Sequence, residues 1–89
     1  MKIVVNRCYG GYGLSAWAKE QLGIDDSDDI YRNQPDLVSL VENFPEKVDD
    51  DFSKLSIVEI PDNSTDWEIS EYDGLETVTY VVDGKINHI

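Results

Sequence analysis

Residues 67–86, WEISEYDGLETVTYVVDGKI, decide the fold. Trp67-Glu68-Ile69-Ser70-Glu71 alternates apolar and polar residues, the period of a strand with one face buried. Asp73-Gly74 marks a turn, and Thr77 to Val82 (TVTYVV) is rich in the β-branched and aromatic residues that suit a pleated surface. Asp83-Gly84 before Lys85-Ile86 is a two-residue hairpin signal, since a left-handed backbone is needed at both turn positions. Immediately upstream, Lys54 to Ile60 (KLSIVEI) reads as a further strand closed by the turn cluster Pro61-Asp62-Asn63-Ser64.

The first half of the chain supplies one strand and two helices. Lys2 to Arg7 (KIVVNR) has a continuous apolar centre, as a strand covered on both faces would. Gly10, Gly11 and Gly13 form a loop, after which Ser15 is placed to cap a short helix carrying Leu14, Trp17, Ala18 and Leu22 at helical spacing. Gly23 then stops it. Pro35 and Asp36 open a second helix, with Leu37, Val38, Leu40, Val41 and Phe44 on one face and Pro45 ending it. The order β-α-α-β-β-β-β predicts an α+β fold, two short helices packed on one face of a mainly antiparallel sheet, within a single acidic domain spanning 1–89.

Composition narrows the function. The 89 residues hold 19 Asp and Glu against 7 Lys and Arg, a formal charge of −12. Such a surface repels phosphate, so direct binding to nucleic acid or to an anionic membrane is not expected. No apolar run approaches the roughly 20 residues that span a bilayer, and the opening residues lack a signal-peptide core, so a cytoplasmic location is expected. The single Cys8 fits a reducing compartment.

Catalytic and metal chemistries find little support. Cys8 and His88 are the one conceivable nucleophile–base pair, but Cys8 follows an apolar strand and His88, next to last, is expected to fray. Asp49-x-Asp51-x-Ser53 begins like a calcium loop, yet Lys54 stands where glycine is required and Ile60 where the terminal glutamate belongs. Asp26-Ser27-Asp28 fails at Ile30. No enzyme activity, metal or cofactor is expected.

Two candidate binding regions remain. In the first, Gly11-x-Gly13-x-x-Ala16 is a degenerate dinucleotide fingerprint, and Arg7, Gly10, Gly11, Gly13 and Ser15 would cradle a small ligand such as a nucleotide. A tight strand-to-helix connection explains the same glycines. The second is acidic. From Asp49 onward there are 11 acids against two bases, Lys54 and Lys85. With Trp67 and Ile69 inward, Asp66 and Glu68 line the opposite face about 7 Å apart, a coarse imitation of a phosphate track. The expected partner surface comprises Asp49, Asp50, Asp51, Asp66, Glu68, Glu71, Asp73 and Glu76, with Tyr31 and Tyr72 as aromatic anchors. A solubilising acidic face is the competing explanation. Trp17 and Trp67 are expected in the core, whereas Tyr9, Tyr12, Tyr31 and Tyr72 fall in or beside loops.

MKIVVNRCYGGYGLS, the central RNQPDLVSLVENFPEKV, and LSIVEIPD with EISEYDGLE resemble a family of small uncharacterised proteins of bacteriophages and prophages. The likeness runs from Met1 to about Glu76, and the tail from Thr77 departs from the family's basic, aromatic ending. The resemblance implies a viral accessory setting, in which small acidic proteins often inhibit host defence. Together with the charge, it leads to an expected non-enzymatic inhibitor of a nucleic-acid-handling defence complex, such as a CRISPR effector or restriction enzyme. The partner would be a host protein with a basic groove. Self-association into a homodimer through the Tyr-rich loops is left open.

Overall fold

After its exposed first residue, Lys2, the first strand is committed to the interior. In a computed structural model describing residues 1–89, β1 (Lys2–Asn6) is followed by α1 (Ala16–Leu22), α2 (Pro35–Asn43), β2 (Leu55–Glu59), β3 (Asp66–Tyr72), β4 (Leu75–Val82) and β5 (Lys85–His88). Ile3, Val4, Val5 and Asn6 of β1 are all fully buried. β1 pairs antiparallel with β2, Ile3 opposite Val58 and Val4 opposite Ile57. Alternation along this ribbon then divides its side chains between two cores. Val4 and Leu55 join Leu14, Ala18, Leu37, Val38, Val41 and Val48 on the helical side. Ile3, Val5, Val58 and Ile60 meet Val78 on the other, with Trp67, Ile69 and Tyr80 packed around them.

The α+β class stands, but the strands form two sheets rather than one: a β1–β2 ribbon and a three-stranded β3-β4-β5 sheet. The helices cover one face of the ribbon and the larger sheet covers the other, which explains the unbroken apolar run of β1. Pro61 accounts for the break. Ile60 still donates to the Met1 carbonyl at 2.9 Å, but Pro61 has no N–H with which to continue the ladder. The chain turns away and β3 begins a new sheet that stacks on the ribbon.

Local signals set the element ends. The Ser15 hydroxyl accepts from the Ala18 amide at 3.0 Å, and Gly23, at φ 69°, closes α1 in the left-handed conformation. Pro35 opens α2, which buries Leu37, Val38 and Val41 and ends at Asn43, one residue before the apolar Phe44. Trp17 and Phe44 meet edge to face, centroids 5.3 Å apart. Trp17 and Trp67 are half-buried at core margins rather than central. Both hairpin turns have two positive-φ residues, Asp73 (50°) with Gly74 (90°) and Asp83 (52°) with Gly84 (75°), as the sequence requires of primed turns. The tail is paired rather than frayed: Ile89 exchanges two backbone hydrogen bonds with Val78, at 2.7 and 2.8 Å, and His88 lies opposite Thr79.

Candidate functional site

Where β1 ends, three loops meet on the side chain of Asn6. Its amide nitrogen donates to the Cys8 carbonyl at 2.8 Å and to the Gly74 carbonyl at 2.6 Å. Its oxygen accepts from the Lys54 amide at 2.7 Å, with the Cys8 thiol 3.3 Å away. One buried amide thus saturates its hydrogen-bonding capacity while tying the glycine loop, the 50–54 turn and the β3–β4 turn together.

Beside it lies a buried ion pair. Arg32 grips Glu76 with two parallel bonds, Nη1 to Oε1 at 2.7 Å and Nη2 to Oε2 at 2.8 Å, and Glu76 Oε1 also accepts from the Asn6 backbone N–H at 2.7 Å. Arg32 Nη1 donates further to the Val4 carbonyl, and Arg7 Nη1 to the Glu76 carbonyl. The Arg32 guanidinium lies over the Tyr12 ring, 3.3 Å from its centroid. The Tyr12 hydroxyl is buried with no hydrogen-bond partner, and burial pushes its pKa up to about 12. Apart from that hydroxyl the junction is saturated and closed, which suits positioning loops more than chemistry.

The glycine loop is built against other backbone. A Cβ on Gly10 would stand 1.8 Å from the Phe52 carbonyl oxygen, and one on Gly74 would stand 2.5 Å from the Gly11 nitrogen. A Cβ on Gly13 would lie 1.9 Å from a carboxylate oxygen of Asp50. The Leu14, Ser15 and Ala18 amides are already donated, to Ser27 Oγ, the Val48 carbonyl and Ser15 Oγ. The Ser15 hydroxyl donates to the Lys47 carbonyl and Arg7 is engaged at Glu76. A phosphate beside Gly13 would meet the Asp50 carboxylate, and close packing accounts for Gly10 and Gly13, whereas a Cβ on Gly11 would meet nothing and its φ of 114° is what calls for glycine there.

The acidic set splits by location. Glu76 is 4% exposed and paired to Arg32, so it leaves the expected partner surface. Asp49 and Asp50 are half-buried and serve the turn, accepting from the Leu55 and Phe52 amides at 2.7 and 2.8 Å. Asp51, Asp66, Glu68, Glu71 and Asp73 are exposed. The Glu71 side chain accepts from the Gly74 amide and that of Asp66 from the Trp67 amide, whereas the side chains of Asp51, Glu68 and Asp73 make no hydrogen bond within the chain. The ion pairs of the molecule join Met1 to Asp62, Lys2 to Glu42 and Arg32 to Glu76, so none of the exposed five is neutralised. Asp66 and Glu68 share the face opposite Trp67 and Ile69, in register with Val81 and Thr79. Tyr72 follows at the same phase, 74% exposed, while Tyr31 stands 82% exposed on the loop entering α2.

Sequence pattern alone does not bring Asn6, Arg32 and Tyr12 together as a unit. One signal was present: Val78 and Tyr80 face inward, and strand alternation puts Glu76 on that same face. No cluster of three His, Cys, Asp or Glu side chains is placed to hold a metal, and no helix is long and apolar enough to cross a membrane. Comparison with protein-family models, curated proteins and solved structures finds no match.

Proposed function

We propose that this protein is a non-enzymatic, acidic binding protein that occupies a cationic surface on a nucleic-acid-handling host complex, a CRISPR effector or restriction enzyme, and so inhibits it. The observation that carries the reading is the set of exposed carboxylates without a cation on β3 and its turn, Asp66 and Glu68 together on one strand face, with Glu71 on the other face and Asp73 in the turn. Carboxylates left without cations repel one another and steer a positively charged partner at a distance. The viral accessory setting comes from the resemblance of the NRCYGGYGLS block and its companions to phage proteins.

Capture from a nuclease-treated bacterial lysate tests it. The expected result is a host protein that duplex DNA displaces, that elutes as salt rises, and that is lost with Asp66→Lys/Glu68→Lys. Retention that neither DNA nor charge reversal affects overturns the mimicry.

A further inference from the structure

The β3-β4-β5 sheet commits one face to the interior and leaves the other bare. Trp67, Ile69, Val78 and Tyr80 pack against the ribbon, whereas on the opposite face no residue of the three strands is buried. The register lays out that outer face in rows across the strands. Asp66 stands opposite Val81, and Val81 opposite Ile86. Two residues along, Glu68 stands opposite Thr79, and Thr79 opposite His88. The rows form one surface, since Asp66, Glu68, Thr79, Val81 and Ile86 line a single groove together with Trp67. Val81 and Ile86 belong to neither core, and Ile86 is 68% exposed. A lone exposed aliphatic side chain is ordinary, but these two are cross-strand neighbours bordered by two carboxylates that no cation offsets.

We propose that this groove docks a basic amphipathic helix of a protein partner, its lysines or arginines on Asp66 and Glu68 and its aliphatic side chains over Val81 and Ile86. The inference rests on the cationic-partner reading above and supplies the contact face and its chemistry. The dimensions agree. Alternate residues of a strand lie about 7 Å apart and residues i and i+4 of a helix rise about 6 Å, so one helix face presents two cations to the two acids. Asp66 and Ile86 are two strand spacings apart, about 10 Å, which is the width of a helix with its side chains. A helix laid on a sheet is also the common way for such a face to be covered. Charge disfavours the alternatives. Phosphates of a nucleic acid or an anionic membrane would face Asp66 and Glu68, and a second copy would bring the same acids and another −12 charge.

The test titrates two peptides of equal length and charge into the ¹⁵N-labelled chain, one a lysine–leucine amphipathic helix and the other a lysine–serine peptide, and follows amide chemical shifts. The lysine–leucine helix is expected to bind about tenfold tighter, because it covers Val81 and Ile86 as well as meeting the acids. Its shifts should centre on residues 66–68, 79–81 and 86–88. Ile86→Ser should bring it down to the lysine–serine level, and Glu68→Lys should weaken both peptides. Equal affinity for the two, or shifts centred elsewhere, overturns the docking face while leaving cationic attraction intact. Binding of neither peptide at low salt overturns both readings. The comparison on the unaltered chain decides the matter even if Ile86→Ser folds poorly.

Discussion

Glu68 and Glu76 lie on neighbouring strands of one sheet and have opposite fates. Glu76 is buried against Arg32 with both oxygens occupied, and Glu68 stands in solvent with no partner. Strand phase makes the difference: Glu76 shares the face of Val78 and Tyr80, and Glu68 the face opposite Trp67 and Ile69. A carboxylate carried inward must be satisfied completely or it costs several kcal/mol, whereas one carried outward contributes field rather than structure. The largest expected effect lies on the inward side. Glu76→Ala leaves the partly buried Arg32 guanidinium without its partner and should cost about 3 kcal/mol, read by urea denaturation. Pairing it with Arg32→Met, as Glu76→Met/Arg32→Met, should recover much of that loss, because replacing a whole buried pair by apolar groups is often close to neutral. If the double variant is as unstable as Glu76→Ala, the ion pair is not what the cost measures.

Asn6 sharpens the contrast next. Asn6→Ala strands the Gly74 and Cys8 carbonyls and the Lys54 amide together, for an expected loss of about 2–3 kcal/mol. Hydrogen exchange should accelerate in all three loops at once. Acceleration in one loop alone would show that they are held independently.

The residues involved also show what a sequence reveals and what it hides. β3, β4 and both hairpin turns follow from alternation and from Asp-Gly pairs, because those signals are carried by adjacent residues. The division into two sheets hinges on Pro61, whose missing N–H reads in isolation as an ordinary turn signal. The Asn6 junction was out of reach, since its partners lie 2, 48 and 68 positions away and nothing in the composition of any one segment announces them. The acidic surface was legible as a total, but its membership depended on burial. Asp49 and Asp50 went to turn amides and Glu76 to a guanidinium, while Glu68 and Asp73 stayed free.

Tyr12 is the one imperfect member of the closed junction, and its effect is smaller. Its hydroxyl is buried without a partner, so Tyr12→Phe should leave stability within about 0.5 kcal/mol of the parent or raise it. The pH dependence separates the two chains. The unfolded tyrosine ionises near its ordinary value of 10.0, while in the fold burial holds the proton until about 12. The unfolded chain therefore binds fewer protons through that window. Tyr12's contribution to stability is intact below pH 10 and declines toward 12. Melting temperatures across this range should fall less steeply for Tyr12→Phe, and identical profiles would show that the hydroxyl is not sequestered.

The smallest stability effect belongs to the outward face, and its sign carries the argument. Asp66→Asn/Glu68→Gln removes two charges that share one strand face with no cation to offset them. If those carboxylates were structural, the change would destabilise the fold. If they are a field held against mutual repulsion, it should be neutral or stabilising by up to about 0.5 kcal/mol, and added salt should raise the melting temperature of the parent more than that of the variant. Loss of partner binding without loss of stability is the signature of a surface maintained for recognition. Destabilisation of the kind expected for Glu76→Ala would instead erase the distinction between the two faces of the sheet.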